Sequence, residues 1–249
     1  MQNFEPVNPQ AHGDVRIDEH QLPALYSRFH MLNVELKEAV QASSEFPLFF
    51  SKVANSQRWT ISALCGLGLN ENVFVQLDEW VAHYTPLSLQ TLPFSLQIEE
   101  NNGKHTLLID LASAAVNTKN GSALFLSSKR PSAFLDNKRK LLEERSMAMA
   151  QTSALLEEMA SMGLIRAVDL IIEYADNTQQ RVGGLATVNE QQLQTLDAEQ
   201  LALLNGKQCL SVLANILGSV FQMNRLIRLH NKKYPGKAIS NIKLETSKA

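Results

Sequence analysis

The sequence predicts an α+β protein: an antiparallel β-rich N-terminal half with short helices, then a helical C-terminal half with one extra hairpin and a long terminal helix. Three observations carry the prediction. Trp59, Ile61, Ala63 and Cys65 alternate with Thr60, Ser62 and Leu64, the period of a strand, just before Gly66-Leu67-Gly68. Phe94, Leu96 and Ile98 alternate with polar residues, and Thr106 to Leu111 returns after Asn101-Asn102-Gly103, a strong hairpin signal. From Ser132 onward the apolar spacing becomes helical and ends in an amphipathic helix over 207–234.

The N-terminal half is justified as follows. Residues 1–24 are polar, carry Pro6, Pro9, Gly13 and Pro23, and are expected to wrap a surface, with Val15-Arg16-Ile17 as an edge strand. Over 31–43 the spacing of Val34, Leu36, Ala39 and Val40 predicts a short helix with Glu35 and Glu38 flanking Lys37 on its wet side. Phe46 to Phe50 is an apolar run, and the strand over 59–65 is expected to bury one face. Glycine tolerates the φ > 0 of tight turns, so Gly66 and Gly68 end that strand. Asn70-Glu71-Asn72 continues the turn, and Val73-Phe74-Val75 is expected to pair antiparallel with the strand before it. Thr85 and Pro86 suit the cap and first turn of a short helix, and Leu92 before Pro93 is steered away from helix. Asn120-Gly121 turns the chain into Leu124-Phe125-Leu126.

In the second half Ser132 caps a helix that Gly163 stops, with Ser146 marking a place for a break. Val168, Leu170 and Ile172 alternate, Asp176-Asn177 turns, and residues 180–187 return, which predicts the extra hairpin. Asn189 and Asp197 each open a short helix, and Gly206 closes the second. Along the terminal helix Leu210, Leu213, Leu217, Val220, Asn224 and Ile227 form a stripe widened by Ile216 and Phe221. That face is too broad to stay in water, so the helix is either a central packing element or the interface of a homodimer. Pro235-Gly236 ends it. The organisation expected is one domain over 1–249, with a sheet-rich part (1–128), a helical part (129–234) and a polar basic tail (235–249).

Composition sets broad limits. At 249 residues, 45% hydrophobic and 19% charged, the chain suits a globular protein with a sizeable core. A net charge of −2 gives no overall attraction to nucleic acid or membrane. Cys65 and Cys209 stand in apolar surroundings and read as free buried thiols of a reducing compartment. The N-terminus lacks the pattern of a signal peptide, and no apolar run approaches the roughly 20 residues of a membrane span. The expected location is the cytoplasm, with no membrane span.

Motifs for chemistry are sparse. Gly66-x-Gly68 lacks the third glycine of a dinucleotide loop, since Glu71 holds that place, and a plain turn accounts for it. His12-Gly13-Asp14 has the HxD form of a facial triad, with His83 or His105 as third ligand; His12 and Asp14 are thus the candidate metal ligands, set in a polar leader where a rigid barrel strand would be needed. Glu99-Glu100, Glu143-Glu144 and Glu157-Glu158 read as solvated faces. Glu71, Asn72, Trp80 and Tyr84 combine a carboxylate, an amide and two amphipathic aromatics in a turn-rich span. They are candidates for a ligand or peptide pocket, or else core anchors and turn-satisfying groups. Arg225, Arg228, Lys232 and Lys233 at the end of the last helix suit its dipole, and no aromatic platform for nucleic acid accompanies them.

The chain resembles the bacterial SapC family over nearly its whole length, a family distinct from the peptide-transport permease of the same letters. The resemblance is carried by Val34-Glu35, Phe46-Pro47-Leu48-Phe49-Phe50, Ala63-Leu64-Cys65-Gly66-Leu67 and Glu71-Asn72-Val73-Phe74-Val75. Trp80, Tyr84-Thr85-Pro86, Leu92-Pro93-Phe94, Gly163-Leu164-Ile165, Gly184-Leu185, Val188-Asn189-Glu190, Leu193, Leu196 and the 217–226 region continue it. It departs at Asn189, where an acid is expected, and at Asn215, where His or Gln is expected. An Asn still caps a helix, whereas Asn215 weakens any proposal for a titrating group on the terminal helix. The resemblance implies an accessory protein with no established catalytic activity, beside surface-layer genes in some bacteria and beside flavin-dependent halogenases and cupin-like hydroxylases in others. Two functions follow as expectations. One is a non-enzymatic accessory protein that binds a protein or peptide partner and needs no cofactor. The other is a small-molecule enzyme or subunit in that oxidative context, working at Glu71 to Tyr84 or with a metal at His12 and Asp14.

Overall fold

The structure is a computed structural model and describes residues 3–53, 56–98, 103 and 105–247. The chain opens with β1 (Phe4–Pro6), β2 (Arg16–Ile17) and α1 (Leu22–Tyr26). Next come β3 (Met31–Val34), α2 (Ala39–Ser43), β4 (Leu48–Lys52) and β5 (Trp59–Leu64). A small hairpin, β6 (Val75–Gln76) and β7 (Glu79–Trp80), precedes α3 (Leu87–Gln90). Then follow β8 (Phe94–Ile98), β9 (His105–Asp110), β10 (Val116–Asn117) and β11 (Ser122–Ala123). The second half consists of α4 (Ala133–Ser161), β12 (Ile165–Tyr174), β13 (Gln179–Val188), α5 (Glu190–Gln194), α6 (Ala198–Gly206), α7 (Cys209–Ser219), α8 (Met223–Lys233) and β14 (Ile239–Thr246). The class is α+β, as the sequence predicts.

One sheet joins the two halves. Six antiparallel strands lie in the order β14-β12-β13-β4-β5-β3. The seam is short: Leu185 faces Ser51 and Ala186 faces Phe50. The β12–β13 hairpin supplies the longest strands, and its register shifts at Gly183-Gly184, where Gly184 takes φ +79. A bulge with glycine in the left-handed region does this without strain. The core is continuous from Phe46, Phe49 and Phe50 through Leu170 and Ile172 to Leu213, Ile216 and Leu226, all fully buried.

The terminal helix is α7, one 3-10 turn over Val220–Gln222, and α8. By length and mean hydropathy alone Cys209–Lys233 is long and apolar enough to cross a membrane. In this fold Cys209, Val212, Leu213, Ile216, Met223 and Leu226 are buried, and α7 packs on α2, β4 and β13. The helix thus packs within the chain through this face. The capping predictions of the second half hold: Ser132 Oγ accepts the Leu135 N–H at 3.2 Å, Asn189 and Asp197 cap α5 and α6, and Gly163 ends α4 at φ +74.

Several expectations are corrected. Met31–Val34 is a strand, not the start of a helix, because its alternating Leu32 and Val34 pair into β5, where Met31 faces Leu64 and Val34 faces Ile61. The helical spacing survives only from Leu36 on, and Glu35 and Glu38 are buried rather than wet, at 1% and 3% exposure. β5 buries both faces, since β3 and β4 occupy its edges and α2 and α4 pack on it. With both edges taken, Val73–Val75 has no strand site there; one bond, Val73 N–H to the Cys65 carbonyl at 2.8 Å, ties it back, and β6 pairs with β7 instead. β2 is the middle strand of a small sheet between β10 and β11, not an edge. α3 is capped by neither Thr85 nor a Pro86 first turn: Pro86 is the cap residue, and the Glu38 carboxylate accepts the Leu87 N–H at 2.8 Å. α4 runs unbroken past Ser146. Residues read as a polar tail form β14, which looks polar because it is an edge strand with most side chains in water. The Asn101-Asn102 turn and Glu99-Glu100 lie outside the described residues.

Candidate functional site

Glu71 and Asn72 sit in the loop that leaves β5, and both are consumed by the fold. Gly66 is required there: a Cβ would come within 2.1 Å of the Glu71 carbonyl oxygen. Glu71 Oε2 accepts the Gly68 N–H at 3.1 Å, and Oε1 lies 2.8 Å from His230 Nδ1 on α8. The other ring nitrogen, Nε2, lies 3.0 Å from the Lys237 carbonyl, to which it donates. Asn72 is fully buried; its Nδ2 donates to the Tyr26 carbonyl at 3.0 Å and its Oδ1 accepts the Phe74 N–H at 2.9 Å. Lys233 Nζ donates to the carbonyls of Asn72 and Val75 at 2.9 and 2.8 Å. The loop is thus docked on the terminal helix by polar contacts that need ordinary turn and helix-end groups.

Trp80 and Tyr84 point elsewhere. Trp80 packs edge-on to Tyr26 at 5.7 Å and against Phe46 and Phe74, and its Nε1 donates to the Tyr84 carbonyl at 3.3 Å. The Tyr84 hydroxyl donates to Glu38 Oε1 at 2.5 Å. The four residues form two neighbouring pairs, Glu71 with Asn72 and Trp80 with Tyr84, and none lines the cavities described below.

His12 and Asp14 are not brought together on a metal-binding geometry. His12 is buried, and its Nδ1 accepts the Asn8 N–H at 3.2 Å, which leaves Nε2 carrying the proton 3.9 Å from Glu5. Asp14 lines a polar cleft with Arg16. His83 and His105 are exposed, and no group of three metal-binding side chains occurs among the described residues.

Sequence reasoning missed a buried acid pair. Glu35 and Glu38 bracket a 3-10 turn between β3 and α2. Glu38 accepts four ways: Tyr84 O–H, Leu87 N–H, Glu35 N–H at 3.1 Å, and the Glu35 carboxyl. Burial pushes its pKa up, but these donors outweigh burial and hold it below the usual carboxylate range. Glu35 goes the other way, up to about 8, first through burial and then through the Glu38 hydrogen bond and charge, with Arg145 opposing. Glu35 faces the Glu38 N–H in a capping box, yet neither carboxyl oxygen is in good hydrogen-bond geometry with a donor; a proton on Glu35 supplies one toward Glu38. Arg145 Nε stands 2.9 Å from Glu35 Oε1, yet its N–H is not aligned on it and finds no hydrogen-bond acceptor. The same pair raises the Tyr84 hydroxyl, again after burial. The only signal in the sequence was the E-x-x-E spacing of a capping box, visible once a strand, not a helix, precedes it.

A second feature is an open corner. Between the end of α7 and the β12–β14 edge lies a cleft of about 480 Å³ lined by Leu217, Val220, Phe221 and Leu244, with Arg166 and Glu190 at its polar side. Phe221 is 78% exposed and Leu244 38%. Arg166 Nε is buried there without a hydrogen-bond partner. Of the basic residues on α8, Arg225 pairs with Glu45 and donates to the Val81 carbonyl at 3.2 Å and Lys233 is engaged as above, while Arg228 and Lys232 are exposed.

A protein-family model, SapC, matches residues 7–226. No curated protein and no solved structure matches the chain.

Proposed function

We propose that this chain, which belongs to the SapC family, is a binding protein whose β14–α7 corner takes an extended apolar segment of a protein partner. Phe221 carries the reading. A phenylalanine left 78% in water beside a largely apolar cleft is the arrangement of an interaction surface. β14 is the last strand of its sheet, so among the described residues its outer backbone edge has no strand beside it. A segment added along that edge places alternate side chains on the face of Leu244, next to Phe221. The buried, unpartnered Arg166 Nε favours an occupant that brings an acceptor, a carbonyl or an acidic side chain.

The test replaces Phe221→Asp and Leu244→Asp, both at exposed positions. A partner cross-linked in the native cell is identified, and the contacting segment is synthesised and titrated against parent and variants. The variants are expected to fold as the parent does and to lose affinity by roughly tenfold or more. Equal binding of that segment by parent and variants overturns the reading. So does a parent that is a dimer in solution and becomes monomeric on Phe221→Asp, which assigns the corner to a second copy of the chain.

A further inference from the structure

A cavity of about 230 Å³ lies away from that corner, between β3, α3 and α4. Its wall is apolar, built by Phe29, Met31, Leu89 and Leu92. Three polar side chains line it, Asn33, Ser88 and Arg145, and the last two carry an atom left wanting. Ser88 Oγ is buried with no hydrogen-bond partner, and so is Arg145 Nε. Buried donors without acceptors are rare in folded proteins and cost about 1–3 kcal/mol each, more when charged. Two of them at one cavity, one a guanidinium, call for an acceptor that carries negative charge.

Arg145 is also poorly matched to its neighbour. Its ion pair with Glu35 lacks hydrogen-bond alignment, and Glu35 turns its carboxyl to Glu38. Glu38 in turn is saturated by Tyr84, Leu87 and Glu35. The guanidinium is therefore held by the fold yet not used up by it. An arginine fork suits a carboxylate, and a serine hydroxyl beside it donates to the same group.

We propose that this cavity binds a small apolar monocarboxylate, its carboxylate on Arg145 and Ser88 and its body among Phe29, Met31, Leu89 and Leu92. Size fixes the class. A cavity of about 150 Å³ holds benzene, so 230 Å³ takes roughly nine non-hydrogen atoms, the size of benzoate or hexanoate. Nucleotides are too large. The site is independent of the β14–α7 corner and stands or falls without it.

Benzoate is titrated into the full chain near neutral pH by calorimetry, with benzyl alcohol as the uncharged control, and methyl-labelled methionine provides a probe at Met31. Benzoate is expected to bind with a dissociation constant of about 1 mM or tighter and to shift the Met31 methyl resonance. Arg145→Gln is expected to weaken benzoate by roughly tenfold while leaving benzyl alcohol unchanged, and Ser88→Ala to weaken it a few-fold. If Arg145→Gln fails to fold, Ser88→Ala and the Met31 shift in the parent decide the question. Absence of saturable binding, binding that leaves Met31 unmoved, or benzyl alcohol binding as tightly as benzoate overturns the proposal.

Discussion

Glu35 shows what one misplaced carboxyl does to a whole protein. Unfolded, it titrates at the ordinary value of 4.5; folded, at about 8. Between those values the native chain holds the extra proton, so stability falls as pH rises from about 4.5 to about 8 and levels off above. Glu38 has the opposite sign: held low, its contribution is present above its unfolded value and is lost as pH falls through its folded value. Glu35→Gln keeps a neutral polar group at every pH. The variant is expected to match the parent in denaturant midpoint near pH 5 and to exceed it near pH 9, with a flatter pH profile between. Urea unfolding across that range checks it, and parallel profiles for parent and variant would show that Glu35 is ionised in the fold.

At the scale of elements, the terminal helix is held by charge as well as by its apolar stripe. Arg225 lies over the Phe74 ring at 5.5 Å and pairs with the buried Glu45 ahead of β4. Removing one member leaves the other buried and unpaired, which costs about 3–5 kcal/mol, whereas removing both often costs far less. Arg225→Met is therefore expected to lower the unfolding midpoint strongly, and Arg225→Met with Glu45→Leu to recover most of the loss. A double-mutant cycle measures the coupling; additive losses would make the ion pair a bystander. The elements legible in the sequence were those whose signals are local. Hairpins β8–β9 and β12–β13 and the caps at Ser132, Asn189 and Asp197 announce themselves within a few residues. β3 was not legible, because its helical-looking spacing is overruled by pairing with a strand about thirty residues on. The acid pair was lost with it, since a helix there would have put Glu35 and Glu38 in water. Glu71 was visible as a turn residue, but its partner His230 is separated from it by 159 positions, and no local pattern links them.

The whole molecule is organised by the sheet that crosses from one half of the chain to the other. Residues 129–249 supply β12, β13 and β14, and residues 1–128 supply β3, β4 and β5, joined by two facing pairs at β13 and β4. Packing reinforces that seam: α7 lies on α2 and β4 of the first half, and α4 lies on β5 and β8. Phe49 and Phe50 lie on β4, against which α7 and β13 of the second half pack, and both are fully buried. A fragment ending at Ser128 would expose those rings and leave β4 an open apolar edge, a template for aggregation. Neither half is therefore expected to fold alone. Fragments 1–128 and 129–249 should each lack the near-ultraviolet signal of packed aromatics, and mixing them should restore it. The intact chain should unfold in one transition with tryptophan fluorescence and far-ultraviolet ellipticity coincident, since Trp59 and Trp80 both lie in the first half while α4, α7 and α8 lie in the second. Two separated transitions, or a folded first half in isolation, would place the boundary of cooperation at the β4–β13 seam and reduce the shared sheet to a contact between independent units.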